Sequence, residues 1–180
     1  MAQQLASQVM ASVLEVTRPQ PQITVLTLNR PDSLNALSYE LVEALHAALD
    51  DVAADNTCRV VVITGAGRGF CSGLDLRTDD RDQTGGGLEF PRSGMRWQER
   101  IADLTAKIHR LRQPVIAAVN GVAYGGGLGI AAACDIRVAA PTARFCTQFI
   151  KLGLGGCDIG VSYTLPRIVG AGAAFDLILT

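Results

Sequence analysis

No stretch of this sequence is long and apolar enough to cross a bilayer, and its start, Met1 to Gln8, has neither the basic opening nor the apolar run of a secretory signal. A cytoplasmic protein with no membrane partner is therefore expected. A dominant charge is missing as well. Lys and Arg number 16 against 17 Asp and Glu, for a formal net charge of -1, so nothing draws nucleic acid or acidic lipid from a distance and any anionic ligand must be met by local groups. Aromatic residues make up only 5% of the chain, which argues against a surface built to stack bases. The five cysteines, Cys58, Cys71, Cys134, Cys146 and Cys157, are odd in number and form no CxxC pair. Neither a disulfide framework nor a zinc site is signalled, and they read as small buried residues in a reducing compartment. There is no internal repeat, low-complexity linker or metal-ligand cluster. What remains, 180 residues of which 48% are hydrophobic, is enough for one domain spanning residues 1–180 around a real core.

Strand-like and helix-like stretches alternate along the chain. Val13 to Val16 and Ile23 to Leu28 are short β-branched runs on either side of Arg18-Pro19-Gln20-Pro21, which predicts two strands and a turn. Leu41, Val42, Leu45, Ala48, Leu49 and Val52 are spaced as one face of a helix, with Ser38 as its N-cap. Arg59 to Thr64 predicts a strand that ends in Gly65-Ala66-Gly67-Arg68-Gly69, where backbone amides would be exposed. Arg77 to Ser93 is polar and reads as surface. Trp97, Ile101, Leu104, Ile108 and Leu111 then mark an amphipathic helix stopped before Pro114. Val115 to Val119 and Ile136 to Ala139 are further strands, Leu128 to Cys134 is a small-residue buried helix, and Ala173 to Leu179 is a last helix. This order predicts an α/β fold with crossover connections.

Two segments, Ile63 to Leu76 and Val119 to Ala132, each read as strand, glycine-rich turn, then helix. Amides freed at such a turn bind phosphate or stabilise an oxyanion. The phosphate reading requires G-x-G-x-x-G or a P-loop lysine, and neither is present.

The residues of these segments carry a resemblance. Phe70-Cys71-Ser72-Gly73-Leu74-Asp75-Leu76 and Pro114 to Gly127, ending in Tyr124-Gly125-Gly126-Gly127, resemble the paired signatures of the enoyl-CoA hydratase/isomerase (crotonase) family. Arg30-Pro31 through Leu34-Asn35-Ala36-Leu37, Cys134-Asp135-Ile136-Arg137 and Leu165 to Gly170 extend the likeness from about residue 13 to the end. The resemblance implies a crotonase-like (ClpP/crotonase) spiral of repeated β-β-α units, assembled as a homotrimer or a dimer of trimers. It implies an acyl-CoA substrate and no permanently bound cofactor or metal, coenzyme A arriving as part of the thioester. It also implies that the amides of Leu74 and Gly126 form an oxyanion hole, and that Asn35, Ala36 and Leu37 with Gly73, Asp75 and Leu76 hold the pantetheine and adenine.

The sequence departs from the family pattern where hydratases carry two glutamates, one two residues after the triple glycine and one twenty residues later. Here those positions are Gly129 and Phe149, and neither moves a proton. Asp158, in Gly155-Gly156-Cys157-Asp158-Ile159-Gly160, stands where dienoyl-CoA isomerases and 4-chlorobenzoyl-CoA dehalogenases of the family carry an aspartate, as acid or base in the first and nucleophile in the second. It becomes the expected acid or base, with capping of the next helix as the plainer role. Against the dehalogenase, no histidine occurs between Gly94 and Ile108, and His109 reads as a surface residue. The expectation is a hydratase/isomerase-type enzyme, with a thioester hydrolase or dehalogenase using Asp158, or a non-catalytic acyl-CoA binder, as alternatives. The family's C-terminal helical region looks absent or truncated.

Overall fold

The computed structural model describes residues 12–77, 90–156 and 158–180. The expected start, Met1 to Gln8, and Cys157 lie outside these residues, as does most of the polar segment expected between Arg77 and Ser93.

The fold is four successive strand-strand-helix units. The strands are β1 (Leu14–Gln20), β2 (Ile23–Leu28), β3 (Val60–Gly65), β4 (Gly69–Cys71), β5 (Val115–Val119), β6 (Val122–Tyr124), β7 (Ile136–Ala139) and β8 (Arg144–Cys146). The helices are α1 (Tyr39–Ala54), α2 (Phe90–Arg110), α3 (Gly126–Ala133), α4 (Val161–Val169) and α5 (Ala171–Leu179). In the last three units the first strand joins a five-stranded sheet, ordered β1-β2-β3-β5-β7, and the second joins a three-stranded sheet, ordered β4-β6-β8. Every pairing is parallel except β1 with β2. This is the expected spiral of β-β-α units.

The short strands β4, β6 and β8 escape a reading by hydrophobic runs because each is three residues long and rich in small or polar residues. β1 also runs through Arg18-Pro19-Gln20, which the sequence predicts as a turn. β1 is an edge strand whose register with β2 shifts between Thr17 and Gln20, and an edge with an irregular ladder tolerates a proline that lacks an N–H. Phe90 to Ser93, predicted as surface segment, belong to α2.

Helix α1 begins where Ser38 accepts a hydrogen bond from the Leu41 amide at 3.3 Å, and its predicted apolar face is buried throughout. It packs on β1, β2 and α2. Across the α1–α2 seam, Arg100 makes a two-pronged pair with Glu43 at 2.7 Å and Lys107 pairs with Asp50 at 2.7 Å. His46 is enclosed between them. Its Nε2 lies 2.9 Å from the Arg100 carbonyl, and its Nδ1 is buried without a partner. Burial holds the imidazole below its ordinary value of 6.5, and the nearby Arg100 and Lys107 charges act the same way against the opposing pull of the Arg100 carbonyl and Glu43. A depressed histidine contributes stability that is complete above 6.5 and lost as pH falls through that value to the folded one. A His46→Leu protein, which fills similar space without the orphan nitrogen, should show a flatter decline in chemical-denaturation stability below pH 6.5.

Candidate active site

Two asparagines organise the glycine turn after β3. Asn35, fully buried with φ 57°, accepts from the Arg30 amide at 2.8 Å and donates to the Ala66 and Gly69 carbonyls at 3.0 and 2.8 Å. Asn120 accepts from the Gly65 amide at 3.2 Å and donates to the Gly67 and Gly69 carbonyls at 3.0 and 3.2 Å. The Ala66 amide is taken by the Leu28 carbonyl. The expectation that Gly65 to Gly69 exposes free amides is therefore corrected for Gly65 and Ala66, whose amides are bonded within the fold. This turn is knitted into the fold, and a methyl group at Gly65 would meet two carbonyl oxygens within 2.4 Å.

The main-chain segments that meet come from the next residues. Residues 72–77 do not form the helix that the sequence suggested; they run extended beside residues 34–37. The Ser72 amide donates to Leu34, Leu37 donates to Gly73 at 2.7 Å, and Asp75 donates to Leu37 at 3.1 Å. In this parallel bridge of Leu37 with Leu74, the Leu37 and Asp75 amides make the bonds, so the Leu74 N–H points to the opposite edge. The triple glycine lies against Gly73. A Cβ added to Gly73, whose φ is +94°, would sit 2.9 Å from the Tyr124 carbonyl and 3.3 Å from the Gly126 nitrogen, and one added to Gly126 would sit 3.7 Å from the Gly73 Cα. Gly126 is the first residue of α3, so its N–H has no intrahelical acceptor. Gly127 sets the approach of α3, since a Cβ there would fall 2.1 Å from the Cys71 carbonyl oxygen.

Leu74 and Gly126 both line a cavity of about 240 Å³, closed otherwise mainly by apolar side chains including Leu37, Trp97, Phe149 and Ile159. Of the other sequence-predicted site residues, Leu37, Gly73 and Leu76 also line it. Asn35 and Ala36 are buried behind it and Asp75 is 6% exposed, so a ligand would meet these three through the main chain if at all. The Asp75 carboxylate accepts from Arg30 at 2.7 Å and from the Arg77 amide at 3.0 Å. Burial pushes Asp75 up, but the Arg30 and Arg77 interactions outweigh it and hold the carboxyl below its usual range. Arg30 also donates to the Ala36 carbonyl, tying residues 34–37 to residues 73–76. An Arg30→Met protein leaves a buried carboxylate short of its main partner and should lose about 3 kcal/mol of unfolding free energy, as breaking a buried pair does. Urea unfolding at neutral pH measures this.

Phe149 stands in the cavity wall, and Gly129 lies behind the wall residue Ile159. A Cβ at Gly129 would lie 2.6 Å from the Ile159 Cγ2, and Phe149 is buried. Asp158 opens a short 3-10 turn, Asp158–Gly160, directly before Ile159. Its side chain lies outside what the structure describes. Helix α4 takes Gly160 as its N-cap. Among the described residues, four that are not glycine have positive φ: Leu34, Asn35, Gln148 and Ile159. Gln148 and Ile159 line the cavity, and Leu34 and Asn35 lead into its Leu37 wall. Backbone strain of this kind gathers at functional sites. Sequence reasoning missed Arg30, Asn120 and Ile159 as parts of the site, because their importance lies in contacts with segments distant along the chain. Cys58, Cys71 and Cys134 are buried free thiols, and burial pushes Cys71 and Cys134 up to about 12. His109 is exposed, as expected. Among the described residues no helix is long and apolar enough to cross a membrane, and no three metal-ligating side chains cluster.

A spiral of β-β-α units with two glycine-bearing main-chain segments, at Gly73-Leu74 and Gly125-Gly126, lining an apolar cavity defines a class, and comparison with known proteins names it. The enoyl-CoA hydratase/isomerase family model matches residues 18–180. A probable enoyl-CoA hydratase of Mycobacterium bovis is 44% identical over 169 residues, covering 94% of this chain and 59% of that protein. The 1,2-epoxyphenylacetyl-CoA isomerase of Escherichia coli is 42% identical over 157 residues, covering 87% of this chain and 58% of that protein. The crystal structure of a probable enoyl-CoA hydratase/isomerase from Mycobacterium abscessus superposes with a TM-score of 0.83 at 43% identity, covering 94% of this chain and 62% of that one. The chain belongs to the enoyl-CoA hydratase/isomerase (crotonase) family. It spans about three fifths of the length of these relatives.

Proposed function

We propose that the chain is the core of an acyl-CoA enzyme of the hydratase/isomerase type, in which the Leu74 and Gly126 amides receive the thioester oxygen and Asp158 exchanges a proton with the acyl chain. The observation that carries this reading is the meeting of the Gly73-Leu74 and Gly125-Gly126 main chains at one apolar cavity. When a proton leaves a carbon next to the thioester, or next to a double bond conjugated with it, negative charge moves onto the carbonyl oxygen. Two fixed N–H groups stabilise that charge without having to reorganise, and losing one such donor typically costs about 3 kcal/mol of barrier.

Coenzyme A enters as part of the substrate, and no separate cofactor is needed for this chemistry. Leu37 and Leu76 line the same cavity, which supports a pantetheine arm running between residues 35–37 and 73–76. Relatives named as a hydratase and as an isomerase both fit the reading. A homotrimer or dimer of trimers is the assembly we favour, supported by large apolar side chains left exposed on β7 and α5, Ile136, Val138, Phe175 and Leu179; sedimentation velocity tests it. Buried free thiols suit a reducing, cytoplasmic setting.

The test is a panel of enoyl-, dienoyl- and aryl-CoA thioesters in isotopically labelled water, with products followed by mass spectrometry. Added water, deuterium exchange or a shifted double bond is the expected result. Free CoA would instead assign a thioester hydrolase. No change on any thioester, with CoA binding intact, would assign a non-catalytic acyl-CoA binder.

A further inference from the structure

We propose that Ile159 is a specificity-determining residue that keeps water away from the reacting carbons, so that the site moves a proton along the acyl chain rather than adding water across its double bond. This rests on the acyl-CoA reading above and narrows it to one reaction class.

Ile159 is 4% exposed, lines the cavity, and reaches over both ends of the first turn of α3. Its Cγ2 would lie 2.6 Å from a Cβ at Gly129, and its Cδ1 would lie 3.6 Å from a Cβ at Gly126. The side of Gly126 on which a Cβ would stand is therefore hydrocarbon, with Leu37 Cδ1 at 2.8 Å and Ile159 Cδ1 at 3.6 Å. Phe149 and Leu37 extend the same apolar wall. Water that attacks an enoyl thioester has to be held at the β-carbon by groups that accept its protons. A water facing this wall meets only hydrocarbon from Ile159, Phe149 and Leu37, while the polar side chains of the cavity, Ser72, Gln98, Tyr124 and Gln148, belong to the rest of its lining.

The backbone of Ile159 supports the same assignment. Its φ of 53° and ψ of 24° lie in the left-handed region, where a β-branched residue is an outlier. Such a conformation is strained and persists only where the surrounding structure holds it. Glycine would hold the same turn without strain, as Gly160 does next door at φ +74°. The strain is offset only by what the side chain does in the wall.

A proton shift needs no water. The base takes a proton from an allylic carbon, and that C–H pair becomes a new C=C bond while the conjugated electrons move to the thioester oxygen, held by the two amides. The electrons then return, the proton is delivered to a different carbon of the chain, and the base is regenerated. One proton leaves and one arrives, and the product is an isomer of the substrate.

The experiment compares wild type, Ile159→Gly and Ile159→Val on 2-enoyl- and 3-enoyl-CoA thioesters in deuterated, oxygen-18 water. Wild type should give positional isomer and carbon-bound deuterium with little or no oxygen-18. Ile159→Gly relaxes the backbone and opens the wall, and should raise the ratio of 3-hydroxyacyl-CoA to isomer by at least about tenfold, a partition worth about 1.4 kcal/mol of barrier difference. Ile159→Val keeps the Cγ2 cover at Gly129 and loses only the Cδ1 near Gly126, and should move the ratio less than Ile159→Gly does. Wild type that adds oxygen-18 as readily as it isomerises overturns the inference even if the glycine variant fails to fold. A folded Ile159→Gly protein with an unchanged ratio overturns it too. An absence of both exchange and hydration in wild type on every thioester would instead overturn the acyl-CoA enzyme reading on which the inference stands.

Discussion

In an Asp158→Asn protein, turnover of the best thioester in the panel is expected to fall by about 10²–10⁴-fold, the usual contribution of a positioned acid or base, with affinity for CoA unchanged. The two places where the family's hydratases carry glutamates hold Gly129 and Phe149, both sealed against apolar neighbours. Asp75 is committed to Arg30 and the Arg77 amide. Asp158 directly precedes Ile159, which forms part of the cavity wall. Asparagine preserves size and turn propensity while removing the ability to ionise, so a loss of turnover at constant binding isolates proton transfer. Full activity in Asp158→Asn would remove Asp158 from the mechanism. Loss of CoA binding together with activity would make it a structural residue of the turn.

The second large effect is expected at Gly73. A Gly73→Ala protein has to place a methyl group 2.9 Å from the Tyr124 carbonyl and 3.3 Å from the Gly126 nitrogen, on a backbone with φ +94°. Both main-chain partners are fixed, Leu37 through its bond to the Gly73 carbonyl and Gly125 through its bond to the Cys146 carbonyl, so the added methyl group separates the two amides. Turnover should drop by about 10²–10³-fold, as when one oxyanion donor is removed. Measured on protein shown to be folded by circular dichroism, the loss should appear in kcat and only weakly in the affinity for free CoA, which lacks the thioester oxygen. A similar loss of CoA affinity would point to collapse of the binding cleft rather than to the amide pair.

The sequence on its own determined the α/β class, the amphipathic faces of α1 and α2, the Ser38 cap, strands β2, β3, β5 and β7 to within a residue, and the family. These are local or ordered features, and periodicity, capping residues and motif spacing are written along the chain. The triple glycine and the Gly73-Leu74 turn were also legible, but their meaning was only half visible. Both read as helix-starting turns, whereas the structure makes one a helix start and the other an extended bridge to Leu37. Nothing local to Ser72 through Leu76 distinguishes these outcomes, because the deciding bonds are to Leu34 and Leu37, more than thirty residues away. The glycines at 65, 67 and 69 invited a functional reading for the same reason. They carry a structural one once Asn35 and Asn120 are seen to close on them from two directions. Ile159 shows the limit best: in the sequence it is one apolar letter in a glycine turn. Only the packing of the fourth unit against the first turn of α3 turns it into the wall that faces Gly129, because a side chain's role in an enclosed site is set by what the fold brings opposite it.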